Sequence, residues 1–193
     1  WIANDIFVDG FAHDWGSANP GLGRANGLPI TKCDLSGGPN HGTIYINWSE
    51  QRKGVENTDV GVLKYTDGGD TWTSPLRVNQ DNTQTHQFFT WMSVDPITGA
   101  IYIVFSDRRH HTDATTDVYM AYSFDGGKTF TNQKINEPSF KPTLGNFFGD
   151  YNNISAVNGC IRPIWTRLHQ GDLSLHTAIV HHVELVTNQT EVA

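Results

Sequence analysis

GTIYINWSEQR (Gly42 to Arg52) and GAIYIVFSDRR (Gly99 to Arg109) are two versions of one pattern, set 57 residues apart (99 − 42). Each opens on glycine, continues through β-branched and aromatic residues, and ends on serine, a carboxylate and arginine. Such a run favours a strand packed on both faces. A looser third copy, GCIRPIWTRLH (Gly159 to His169), follows 60 residues later (159 − 99). Self-similarity at a fixed period of this order marks a repeat architecture, in which one supersecondary unit packs against the next.

Outward from that strand, each unit carries a short apolar stretch before it, at Leu28 to Asp34, Phe89 to Asp95 and Asn153 to Val157. After it comes another strand, beginning DVGVLKY at Asp59, DVYMAYS at Asp117 and DLSLHTA at Asp172. In the first two units this strand runs into near-identical turns, YTDGGDTW (Tyr65 to Trp72) and SFDGGKTF (Ser123 to Phe130). A fourth strand is expected near Leu76 to Asn79 and Gln133 to Asn136. Four short antiparallel strands at this spacing predict an all-β chain made of β-propeller blades. A β-sandwich has no reason to repeat its turns, and a β-helix has a much shorter period.

The expected organisation is the end of a preceding blade and a loop over 1–27, blades over 28–80, 81–137 and 138–181, and a polar tail over 182–193. A closed ring needs about four blades or more. About three blades would leave two apolar sheet faces open, so the rest of a larger, six-bladed propeller or a second copy of the chain is expected to cover them. The opening at Trp1, with no initiator methionine, reads as a processed form or an excised piece.

Composition narrows the partners. With 13 Lys+Arg against 20 Asp+Glu the formal net charge of the 193 residues is −7, and the basic residues are scattered, which excludes a nucleic-acid binder. The longest apolar run, Ala100 to Phe105, is far short of the roughly 20 residues of a spanning helix, so no membrane span is expected. Cys33 and Cys160 fall in units that are not neighbours, which disfavours a disulfide. Of the sequons at Asn47, Asn153 and Asn188, only the last lies in a segment suited to a glycan.

In SFDGGKTF the paired glycines supply positive φ, Asp125 can accept from amides further along the turn, and the aromatic ring packs back over it. The pattern S-x-D-x-G-x-T-W resembles the Asp box, or BNR repeat, of sialidase-like propellers. Ser123, Asp125, Gly127 and Thr129 match it, with Phe130 in the tryptophan position. Asp67, Gly69, Thr71 and Trp72 match it in the first copy, with Tyr65 in place of serine, and the third unit has no box. Together with QFFTWMSVDP (Gln87 to Pro96), the SDRR strand end and GDYNNISA (Gly149 to Ala156), the resemblance covers residues 28–181. It implies a structural role for the boxes, on the face opposite the active site of sialidase-like enzymes.

The resemblance also sets what catalysis would require: three arginines on the substrate carboxylate, an aspartate acid/base, and a tyrosine nucleophile activated by glutamate. Arginines are present at 24, 52, 77, 108, 109, 162 and 167, but no FRIP-like opening accompanies them. Tyr151 reads as a packing residue at a strand entry. Glu50 and Asp107 are repeat equivalents, as are Arg52 and Arg109, and a recurring pair suits a carboxylate–guanidinium bridge at the strand end. The loops beside them, Lys53 to Thr58 and His110 to Thr116, lie on the face expected to bear ligand. The ligand-binding candidates are therefore Asp107, Arg108, Arg109, His110, Glu50 and Arg52.

His110 and His111 with Asp113 and Asp117 lack the spacing of a zinc site, so no cofactor is expected. Calcium is the one ion that the oxygen-rich loops suit. The expected function is that of a non-catalytic sialidase-like propeller segment of an extracellular, cell-surface or periplasmic protein, serving glycan or protein binding or assembly. The alternative is a sialidase-type exo-glycosidase whose catalytic residues lie partly outside this chain.

Overall fold

The computed structural model describes residues 19–25, 27–67, 70–145 and 147–182. Expectations for most of 1–27, for Gly69 and for nearly all of the tail fall outside them. Three antiparallel sheets and no helix make up the described residues. The first has the order β1 (Ile30–Cys33), β2 (Ile44–Glu50), β3 (Asp59–Tyr65), β4 (Leu76–Arg77). The second repeats it with β5 (Gln87–Val94), β6 (Ile101–Asp107), β7 (Asp117–Ser123) and β8 (Thr131–Lys134). In the third, β9 (Asn153–Val157) flanks β10 (Cys160–His169), which pairs on its other side with β11 (Asp172–Thr177) and β12 (Val180–His181).

Several details depart from the sequence expectation, among them β5, which begins at Gln87 rather than Phe89, and β4, which ends at Arg77 rather than Asn79. β1 starts at Ile30 rather than Leu28 because Leu28 has a left-handed φ of 38°. Phe89 does the same in β5 (φ 54°), where the register slips between Phe88 and Trp91. Both are bulges at the same end of a repeat's first strand. β8 begins at Thr131, directly after the turn, because Thr131 already pairs with Tyr122. The third sheet has no outermost fourth strand among the described residues: β12 continues β11 in one register, with Ile161↔Val180 following on from Ile164↔Thr177.

The apolar run of β6 is explained by its place in the middle. All seven of its residues are buried, with Ile101, Ile103 and Phe105 turned into a cluster with Tyr45, Val60 and Val62 of the first sheet. Tyr102 and Val104 face the other way, into a cluster with Ile154, Ile161 and Trp165 of the third. Burying each such side chain contributes about 1.5–3 kcal/mol, so the two seams provide the core of the structure. The outer face of the first sheet is not open, since Ile46, Trp48 and Leu63 are buried in a third cluster. The third sheet does expose apolar side chains, notably Val157 and Leu175 at 51% and 74%.

Polar ties cross the same seams. Asp95, at the turn between β5 and β6, accepts from the amides of Ile97 and Thr98 with one oxygen and from Gly159 of the third sheet with the other, at 2.7 Å. Asp34 holds the equivalent turn between β1 and β2, accepting from Ser36 at 2.8 Å, and its second oxygen rests against Gly99 of the second sheet. Cys33 and Cys160 are both unpaired.

Candidate functional site

The registers place every β-strand end in one of two layers. Glu50 opposite Asp59 and Asp107 opposite Asp117 close the upper ends of the central strands, while Ile44 opposite Tyr65 and Ile101 opposite Ser123 close the lower ends. The loops 51–58 and 108–116 are therefore upper, together with the connection that leads into β5. The glycine-rich turns are lower.

The lower turns are self-contained. Ser123 donates to Asp125 at 2.7 Å and accepts from the Gly127 amide, while Lys128 and Thr129 amides and the Thr129 hydroxyl all donate to Asp125. Burial alone would raise the Asp125 carboxyl, but these bonds together more than offset it and hold the group well below its ordinary value. Gly127 takes the positive φ of 76° that the turn requires, and Phe130 is buried in the seam with the first sheet. In the first copy Asp67 accepts from the Thr71 amide, and Trp72 packs edge-on against Tyr65 with centroids 4.4 Å apart. These residues shape a turn and lie at the opposite end from the upper loops.

At the upper end the recurring pairs form two bridges. Arg109 donates to Asp107 through Nε at 2.9 Å and Nη2 at 2.6 Å, and its guanidinium lies 4.1 Å from the Tyr119 ring centroid. Asp107 is wholly buried, and burial pushes its carboxyl upward against the pull of Arg109. Arg52 donates to Glu50 at 2.9 Å, and the Trp48 indole donates to the same oxygen at 3.0 Å. Asp107, Arg109, Glu50 and Arg52 are thus committed to structural bridges.

Arg108 differs. It is only 2% exposed; its Nη1 donates to the Pro20 carbonyl at 2.7 Å, its Nε to the Thr116 hydroxyl at 3.2 Å, and its guanidinium lies over the Phe88 ring. Among the described residues no carboxylate bonds to it, and its buried Nη2 has no hydrogen-bond partner. Burial pulls its pKa down to about 10, against Asp113, so the group remains a cation at neutral pH.

Arg108 lines an upper cleft of about 320 Å³ with His86, Glu56, Gln84 and Asp113. His86 is nearly buried and held neutral, with a pKa of about 4 caused first by burial and then by the charge of Arg108. Its Nδ1 lies 3.0 Å from the Thr58 hydroxyl, which also accepts from Gln51 at 3.1 Å. The same hydroxyl also donates to Asn19 Oδ1 at 3.4 Å, so the direction of the Thr58–His86 bond is set by the ring's tautomer. Asp113 is paired with Lys141 at 2.8 Å and bound by the Thr115 amide, which holds its carboxyl well below the usual range.

Of the candidate residues, then, only Arg108 lines the cleft. His110 is exposed and lies off it, whereas His111 lines it and bonds to Asp117 at 2.9 Å. Tyr151 is 60% exposed and packs edge-on to Trp91. His86, Glu56 and Gln84 carried no recurring sequence signal. Among the described residues no group of three His, Cys, Asp or Glu is arranged to hold a metal ion.

No protein-family model matches the chain, and no curated protein does. Solved structures do. An α-L-arabinanase from Penicillium chrysogenum, solved with arabinobiose, matches with a TM-score of 0.58 at 17% identity, over 84% of this chain and 51% of that one. The chain folds as part of a β-propeller. Lower-scoring likenesses are to a family 117 glycoside hydrolase from the marine bacterium Zobellia galactanivorans (TM-score 0.49, 13% identity, 89% and 56% of the two chains) and to a thermostable family-43 glycoside hydrolase (0.46, 10%, 78% and 49%). The chain spans about half the length of these propeller proteins.

Proposed function

We propose that this part-propeller is a non-catalytic, glycan-binding segment of an extracytoplasmic protein, with its ligand in the upper cleft. The observation that carries the reading is the buried Arg108 guanidinium, which lines that cleft and keeps one nitrogen without a hydrogen-bond partner. Its likeness in fold to glycoside hydrolases supports a carbohydrate ligand. The non-catalytic role is supported by the state of the carboxylates. Glycoside hydrolysis needs one carboxyl held protonated as the acid and, outside enzymes with a tyrosine nucleophile, a second as base or nucleophile. Asp107 has the raised pKa but is sealed beneath Arg109, and Asp113 in the cleft is held ionised by Lys141 and Thr115.

The test is to titrate the chain with a panel of glycans while assaying release of aglycone from fluorogenic aryl sialosides and arabinofuranosides. Binding without turnover is expected. Turnover of an aryl sialoside that Tyr151→Phe abolishes would replace this reading with the sialidase-type exo-glycosidase. Export is tested by locating the protein in fractionated cells; residence in the cytoplasm would refute that part.

A further inference from the structure

The seam between the first two sheets opens at its lower end into a second cleft, of about 300 Å³, beside the glycine-rich turn of the second sheet. Val62, Leu63 and Leu76 of the first sheet give it apolar walls. Two lysines line it, Lys64 from β3 and Lys128 from the turn, and none of its lining residues is a carboxylate. The described ion pairs engage Lys53, Lys134 and Lys141 and leave Lys64 and Lys128 out. Lys64 is partly buried and donates to the Gly126 carbonyl across the seam at 2.5 Å, which uses one of its three protons. Burial pulls its pKa down, the charge of Lys128 pulls it further, and Asp125, the opposing carboxylate, does not restore it. The Asp125 oxygens are occupied within the turn, by Ser123, Thr129 and the Lys128 amide. The repeat does not call for this pair: the offset of 58 that aligns the two turns sets Tyr122 against Lys64 (122 − 64) and Asp70 against Lys128 (128 − 70).

On a chain of formal net charge −7, two ammonium groups that disfavour each other's charge therefore share one cleft without a carboxylate in its lining. An anion bound there relieves the repulsion and accepts charge-assisted hydrogen bonds from the protons that Lys64 and Lys128 have left. The exposed Ser74 hydroxyl on the lining adds a neutral donor. A cation is repelled by both lysines. An inorganic anion gains nothing from Val62, Leu63 and Leu76, whereas an anion joined to an apolar body uses both the charge and the walls. The volume is at the small end for ligand clefts and suits a body of about one ring. We propose that the lower cleft binds a small organic acid, its carboxylate on Lys64 and Lys128 and its aromatic or branched aliphatic body against Val62, Leu63 and Leu76. The site lies at the opposite end of the sheets from the Arg108 cleft and stands independently of the glycan reading.

The experiment titrates the full chain by ¹⁵N chemical shifts with probes of one shape and different charge, phenylacetate, 2-phenylethanol and phenethylamine, and with inorganic phosphate. Phenylacetate is expected to shift the Lys64, Thr73 and Lys128 amides, with the alcohol and phosphate each about tenfold weaker or more and the amine without effect. Lys128→Gln alters an exposed side chain, so the fold is kept; it is expected to weaken phenylacetate several-fold and leave the alcohol unchanged. Lys64→Met is expected to weaken phenylacetate further, and Leu76→Ser to weaken the acid and the alcohol alike while leaving phosphate unchanged. Equal affinity for acid and alcohol, or an acid affinity that neither lysine substitution lowers, overturns the role of the lysines. Phosphate binding as tightly as phenylacetate overturns the organic-acid class, and silence of these three amides towards all four probes overturns the site. None of these outcomes bears on glycan binding, which is read at the upper cleft.

Discussion

Asp95 and Asp34 hold equivalent turns, yet their replacement by asparagine should have unequal consequences. Both are completely buried. In Asp95 each oxygen is engaged, one by the Ile97 and Thr98 amides and the other by Gly159 across the seam at 2.7 Å. Asp95→Asn keeps an acceptor for the turn but sets an NH₂ against the Gly159 N–H. The loss is one charge-assisted hydrogen bond, about 1.5–3 kcal/mol, plus a buried amide left unpaired, about 1–3 kcal/mol, so a destabilisation of about 3 kcal/mol is expected. In Asp34 only one oxygen is engaged, by Ser36, and the other has no partner. Asp34→Asn keeps that bond and removes an uncompensated buried charge, so its cost should stay below about 1 kcal/mol.

Urea unfolding gives both values, and hydrogen exchange at Gly159 reports the seam directly. Burial raises the Asp95 carboxyl, but the amides of Gly159, Ile97, Asn158 and Thr98 more than offset it, so its folded pKa lies below the ordinary value. For such a depressed carboxyl the added stability is present above the unfolded pKa of about 3.9 and is lost as pH falls through the lower folded one. Asp95→Asn should therefore flatten the acid limb as well as lower the plateau. Equal costs for the two substitutions, within about 0.5 kcal/mol, would refute the assignment of the Gly159 bond as a seam tie.

Further outcomes follow from single contacts. His86, neutral in the fold with a pKa of about 4, leaves the unfolded chain to take up the proton first as pH falls below about 6.5. Stability should be level above pH 7 and decline by roughly 3 kcal/mol between pH 6.5 and 4, and His86→Gln should remove that slope in pH-resolved unfolding curves. Arg109→Met strands the buried Asp107 carboxylate and should cost about 3–5 kcal/mol by urea melt, with Asp107→Asn in the same chain restoring most of it. Gly61→Ala would place a methyl 3.0 Å from the Trp48 indole, with an expected loss of about 1–3 kcal/mol and a changed tryptophan emission.

The repeat was the legible part of this sequence, because each unit must present the same apolar faces to its neighbours. β6 reads as a continuous apolar run since it is covered on both sides, and the glycine-rich turns show their positive φ in their composition. Leu28 and Phe89 concealed their bulges, because a left-handed leucine or phenylalanine is imposed by strand pairing and has no side-chain signature. The third sheet deceived for a related reason. A strand interrupted at 178–179 but continuous in register looks in sequence like a strand and a remnant. Among candidate site residues the recurring ones were the easiest to find, and they turn out to be bridges.

What the cleft uses is the point at which the repeat breaks. Gln51, Arg108 and Leu168 occupy one position in three successive units, by the spacings of 57 and 60 (108 − 51 and 168 − 108). Gln51 donates to the Val55 carbonyl and Thr58, and Leu168 joins the apolar cluster, so each is accommodated by its own unit. Arg108 brings a buried cation that bonds no carboxylate among the described residues, with Asp113 acting on it only through space, and a donor left over. A residue kept for packing would not be chosen so, because desolvating an unpaired guanidinium costs several kcal/mol. Arg108→Leu, which installs the residue of the third unit, gives up two hydrogen bonds from a charged group, worth about 1.5–3 kcal/mol each, and regains a desolvation cost of similar size. Thermal and urea melts should show stability unchanged or raised, while sugar binding disappears. A loss of more than about 2 kcal/mol would mean instead that Arg108 is held there to tie Pro20 and Thr116 together, and the cleft would lose its claim to be a site.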